Sequence, residues 1–115
     1  MSSQTDNSIF LDFTNGAARL GGNEALYKKL LKSFVAGNYF EIISEKIQNN
    51  DLEAAAQAAH TIKGVSANLS LKRVNELSAE LEQQLKSGGN YSETFSLLEE
   101  ANKKTLELIE EITAE

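Results

Sequence analysis

Ala55-Ala56-Gln57-Ala58-Ala59-His60-Thr61-Ile62-Lys63-Gly64-Val65-Ser66-Ala67-Asn68-Leu69 holds the only histidine of the chain inside its least bulky run. Read as a helix, with about 100° between successive residues, this stretch puts Leu52, Ala55, Ala59, Ile62, Ser66 and Leu69 on one side, which can face a core. His60 falls on the other side, together with Glu53, Ala56, Gln57, Lys63, Gly64 and Ala67. The imidazole thus has a cation one turn on and glycine or alanine around it, so a second macromolecule can come close. Gly64 weakens the helix by about 1 kcal/mol relative to alanine, a cost that makes sense where access matters.

Outward from this helix the chain reads as further helices. Asn49-Asn50-Asp51 is a tight connection, with Asp51 as N-cap and Glu53 at the positive end of the dipole. Upstream, Asn23 and Glu24 begin a long helix whose apolar positions Tyr27, Leu30, Leu31, Phe34, Val35, Tyr39, Ile42, Ile43 and Ile47 keep a helical period across Gly37-Asn38, where a bend or short interruption is expected. Before it, Ile9 to Phe13 is an apolar cluster and Thr14 caps a short helix running to Leu20. Downstream, a break at Asn68-Leu69-Ser70 leads to a helix with Leu71, Val74, Leu77, Leu81 and Leu85 on one side. Ser87-Gly88-Gly89-Asn90 stops it. A last helix from Ser92 to Thr113 carries Phe95, Leu98, Ala101, Thr105, Leu108, Ile109 and Ile112. No strand alternation occurs, and short links make antiparallel neighbours. The expected fold is all-α: an up-down antiparallel four-helix bundle with a short additional N-terminal helix. Residues 1–8 are expected to be a disordered tail and 9–115 one domain.

Composition narrows the function. With 115 residues, 41% hydrophobic and 24% charged, the chain has the balance of an ordinary soluble globular domain. Cysteine is absent and histidine occurs once, so neither a thiolate site nor a zinc or di-iron cluster is expected. A formal net charge of −6 argues against nucleic acid, whose affinity comes from cations on phosphates. No apolar run approaches the roughly 18 to 20 residues that span a bilayer, and the start lacks a signal peptide's basic and apolar regions. A cytoplasmic location is the resulting expectation.

Ala59-His60-Thr61-Ile62-Lys63-Gly64 followed by Ser66-Ala67-Asn68-Leu69 closely resembles the signature of histidine-containing phosphotransfer (HPt) domains. The resemblance extends through Leu11-Asp12, Leu20-Gly21-Gly22 and Leu30-Leu31-Lys32-Ser33-Phe34 to Leu81-Glu82. At Ser70 the chain departs from the glycine usual in the family's Leu-Gly-Ala turn, and serine there is a good N-cap.

The resemblance implies a phosphocarrier rather than an ATP-using kinase, and the chain has neither a phosphate-binding Gly-x-x-x-x-Gly-Lys loop nor room for a kinase domain. His60 would receive a phosphoryl group from the aspartate of a response-regulator receiver domain, or pass it to one, including a receiver within a hybrid sensor histidine kinase. The receiver brings the magnesium, and the chain itself needs no cofactor. Lys63, one turn from His60, suits the charge on the phosphoryl oxygens. By resemblance Glu82 contacts the other ring nitrogen and orients the imidazole. Gly64, Ala56, Gln57, Ala67 and Lys86 are the expected docking residues of a monomeric carrier. The alternative is a helical interaction module that docks on a signalling partner without receiving phosphate.

Overall fold

In a computed structural model the described residues are 7–114, and all regular structure among them is helical. The expected tail over residues 1–6 lies outside them, while Asn7 and Ser8 join Ile9 in a 3-10 turn. The helices are α1 (Phe13–Ala18), α2 (Glu24–Ala36), α3 (Tyr39–Gln48), α4 (Leu52–Asn68), α5 (Lys72–Ser87) and α6 (Ser92–Thr113). α4 packs along α5, α3 lies on α4, and α6 touches both α5 and α2, so the contacts run in series from α3 through α4, α5 and α6 to α2.

Local chemistry explains most boundaries. The side chains of Asn23 and Asp51 accept from the backbone amides of Leu26 and Ala54, satisfying donors that a helix start leaves unpaired. α1 is capped by Asp12, which accepts from the Asn15 amide at 3.0 Å, rather than by Thr14. Asp12 already precedes the turn and is the better acceptor. The long helix expected from Asn23 to Ile47 is two helices, because Asn38 takes a left-handed conformation with φ 50°. Asparagine adopts that conformation more readily than most residues. Leu30, Val35 and Ile42 of the expected stripe are exposed, whereas Tyr27, Leu31, Phe34 and Ile43 are buried. Leu71, Val74, Leu77, Leu81 and Leu85 of the α5 stripe all enter the core, as do Leu98, Ala101, Thr105, Leu108 and Ile109 of α6.

The N-terminal segment straps across the turn between α4 and α5. Tyr27 is fully buried and its hydroxyl donates to the Leu69 carbonyl at 2.6 Å. Burial, with Asp12 nearby, pushes that hydroxyl's pKa to about 12, so it remains a donor. Gly16 lies against the Tyr27 ring, where a Cβ would collide with it. Farther along, Thr105 on α6 donates to the Phe10 carbonyl, across 95 residues of sequence.

Ser70 differs from its expected role. Leu71 occupies the cap position of α5, and the Ser70 hydroxyl donates to Asn15 Oδ1 at 2.6 Å. Its backbone sits at φ 58°, in the left-handed region that favours glycine. A residue with a Cβ is strained there by roughly 1–2 kcal/mol, and the bond to Asn15 offsets part of this. Ser70→Ala keeps the strain and loses the bond, whereas Ser70→Gly loses both. Denaturant unfolding should therefore find Ser70→Gly more stable than Ser70→Ala by about 1 kcal/mol. An alanine variant as stable as the glycine one would contradict this account of the turn.

Candidate functional site

Two turns within α4 and the facing stretch of α5 make the site. Ala55, Ala59, Ile62 and Ser66 are buried on one side of α4, which turns His60 outward with 58% of its side chain exposed. Across from it, Leu81 and Leu85 anchor α5 in the core and hold Glu82 between the two helices, its side chain only 7% exposed. Residue 60 faces residue 82, and the Asn75 side-chain amide donates to the Lys63 carbonyl at 2.7 Å. That crossing order belongs to an antiparallel pair.

Glu82 is the hub. Its Oε2 lies 3.1 Å from His60 Nδ1 and 2.9 Å from Lys86 Nζ, and its Oε1 lies 2.9 Å from Lys63 Nζ. A carboxylate without water around it is costly unless paired, and here three donors surround it. Lys86 does most to pull its pKa from 4.5 to about 2, and Lys63 and His60 add to this against the opposing effect of burial. An ionised carboxylate only accepts hydrogen bonds. In the neutral ring Nδ1 must then carry the proton, and Nε2 keeps its lone pair. The arrangement can hold a ring nitrogen ready as a nucleophile, with two ammonium groups close by.

The residues expected from the sequence do not all fall where the helical projection puts them. His60, Lys63, Glu82 and Lys86 come together. Lys63 is not directed freely at solvent but rests on Glu82, and so does Lys86. Gln57, Gly64 and Ala67 are exposed on the His60 side. Ala56 is buried at 5% exposure, so it is not an open docking residue: it lies about 40° from His60 in projection, toward α5, which covers it. Among the described residues a Cβ on Gly64 would meet nothing within 4 Å, so none of them requires glycine there. Asn75 escaped the sequence reading. Its spacing from Glu82, seven residues and hence the same face of α5, was the signal available.

A family model described as Hpt domain matches residues 31–115. No curated protein and no solved structure matches the chain. No helix among the described residues is long and apolar enough to cross a membrane.

The depressed pKa of Glu82 gives a signed pH dependence. Its ion cluster favours the folded state fully above pH 4.5, the ordinary value, and this contribution is lost as the pH falls toward 2. Replacing the charge by Glu82→Gln should lower stability at neutral pH by about 1–2 kcal/mol, allowing for the solvent exposure of both lysines. Thermal melts across the acid range should show the parent and Glu82→Gln converging as pH 2 is approached. A gap that stays constant with pH would mean that the carboxylate's charge is not what its neighbours stabilise.

Proposed function

This chain belongs to the Hpt domain family, whose members carry phosphoryl groups in two-component signalling, and on that premise we propose that it does so on Nε2 of His60, exchanging the group with the aspartate of a receiver domain. The observation that carries the reading is the bond from His60 Nδ1 to the ionised Glu82, which leaves the outward nitrogen unprotonated. In the forward step the Nε2 lone pair attacks phosphorus, the N–P bond forms, and the P–O bond to the receiver's aspartate breaks with its electron pair returning to the carboxylate. The ring, still protonated at Nδ1, becomes positively charged, and Glu82 sits against that charge. Reversal follows the same path: the aspartate attacks phosphorus, the P–N bond breaks with its electron pair returning to Nε2, and the ring, already protonated at Nδ1, leaves as neutral imidazole.

Lys63 and Lys86, both held on the carboxylate that bonds the imidazole, supply positive charge for the phosphoryl oxygens. The magnesium of the reaction would be the receiver's. Gln57, Gly64 and Ala67 form the surface that the receiver covers, and the open space that a Gly64 side chain would meet among the described residues supports that role. The carrier is proposed to act as a monomer.

Incubation with a phosphorylated receiver should place an acid-labile, alkali-stable label on the parent chain and none on His60→Gln, with the variant melting normally. Label retained by His60→Gln would remove the assignment, and a parent that binds a receiver without ever gaining label would favour a plain docking module.

Gly64 separates access from accident. If access is its role, Gly64→Gln should fold and yet transfer on the order of a hundredfold more slowly, since about 1 Å of misplacement can cost that much. Gly64→Ala should meanwhile gain up to about 1 kcal/mol of stability. A folded Gly64→Gln protein accepting phosphate at the parental rate would show that the receiver does not dock over this face.

A further inference from the structure

The family match begins at residue 31, so the segment from the 3-10 turn to the middle of α2 lies ahead of it. That segment is nevertheless tied into the helix pair that carries the site. Lys72 Nζ lies 3.4 Å from Asp12, the Ser70 carbonyl accepts from the Asp12 amide, and Arg19 Nη1 donates to the Ala67 carbonyl at 2.8 Å. The last of these matters for function. Ala67 follows His60 by seven residues, which returns it to within about 20° of the same face of α4, about 10 Å along the axis. Arg19 is exposed, and its bond to Ala67 stations the guanidinium at the rim of the surface that bears His60.

The charges around the site differ in what they face. Lys63 and Lys86 share Glu82, and Lys72 is paired with Asp12. Arg19 faces a neutral carbonyl and, among the described residues, has no carboxylate partner. Of its five donors one holds it in place, leaving the rest of a planar fork suited to a carboxylate. A helix C-terminus also favours the cation there. The protein as a whole is acidic, with a net charge of −6, so a guanidinium that meets no carboxylate among the described residues stands out electrostatically at this rim.

We propose that Arg19 extends the docking face beyond α4 and selects receiver domains that present an aspartate or glutamate opposite it. This rests on the phosphorelay reading of His60. Arg19 touches neither the imidazole nor the phosphoryl group, so its effect belongs to encounter and affinity, not to the transfer step. Rim charges act in this way, and salt screens them.

The test uses a panel of receiver domains, each charged with acetyl phosphate, and follows transfer to the full chain under single-turnover conditions as receiver concentration and salt are varied. With a receiver that phosphorylates the parent, Arg19→Gln should raise the half-saturating concentration roughly two- to fivefold at low salt, and Arg19→Glu should raise it further. The maximal rate should stay at the parental value, the salt dependence should become shallower, and Arg19→Lys should recover most of the loss. Melting temperatures show whether any variant has lost the strap. Parental half-saturation and salt dependence in Arg19→Glu would overturn the proposal, and so would a loss that follows melting temperature without responding to salt. If no receiver phosphorylates the parent, the phosphorelay reading itself fails and takes this proposal with it. A parent that is labelled while Arg19→Glu remains indifferent removes Arg19 alone.

Discussion

A carboxylate enclosed between two helices constrains everything around it. Glu82 is nearly removed from water, and each of its oxygens has to find a donor there. The donors come from both sides of the seam: His60 and Lys63 from α4, and Lys86 from α5 itself. A slip of one residue between the helices would leave a buried charge unmatched, which is far costlier than the loss of an exposed ion pair. The register of the α4–α5 pair and the tautomer of the imidazole are therefore held by one group. Asn75 reinforces it by gripping the backbone of the same residue whose ammonium Glu82 holds, so Lys63 is fastened to α5 at both ends.

Small residues make this closeness possible. Ala55, Ala59 and Ser66 on α4, and Ser78 on α5, are small and fully buried. Ser66 turns its hydroxyl back onto the Ile62 carbonyl at 2.6 Å, which satisfies the group without a partner across the seam. Larger side chains at these positions would move Glu82 away from the imidazole.

Much of this was legible in the sequence, for reasons that differ from residue to residue. Asn23, Asp51 and the glycines after Ser87 were readable because caps and stops are local chemistry, confined to a few consecutive positions. His60, Lys63 and Gly64 were readable because their spacing on one helix sets their shared face. Glu82 needed a resemblance, since nothing local says which glutamate of α5 turns inward. Ala56 was misplaced because a single-helix projection does not know how wide a neighbour is, and α5 covers more of α4 than the apolar stripe suggests. Asn75, Arg19 and the Ser70–Asn15 bond depend on segments 12 to 55 residues apart and leave no periodic trace. The left-handed turn at Ser70 was hidden by the serine itself, a residue that reads as a cap.

The bond between Phe10 and Thr105 joins the residue after the 3-10 turn to the last helix across most of the chain. On a ribosome the two halves of that contact are made far apart in time. The α4–α5 hairpin, with its connection of only a few residues, can close as soon as both helices have emerged, whereas the N-terminal strap has to wait for α6 to complete its seat. Loop closure over so long a span is entropically expensive, and local pairs are settled before it. During synthesis the surface around His60 can therefore be assembled on a nascent chain whose first segment is still undocked.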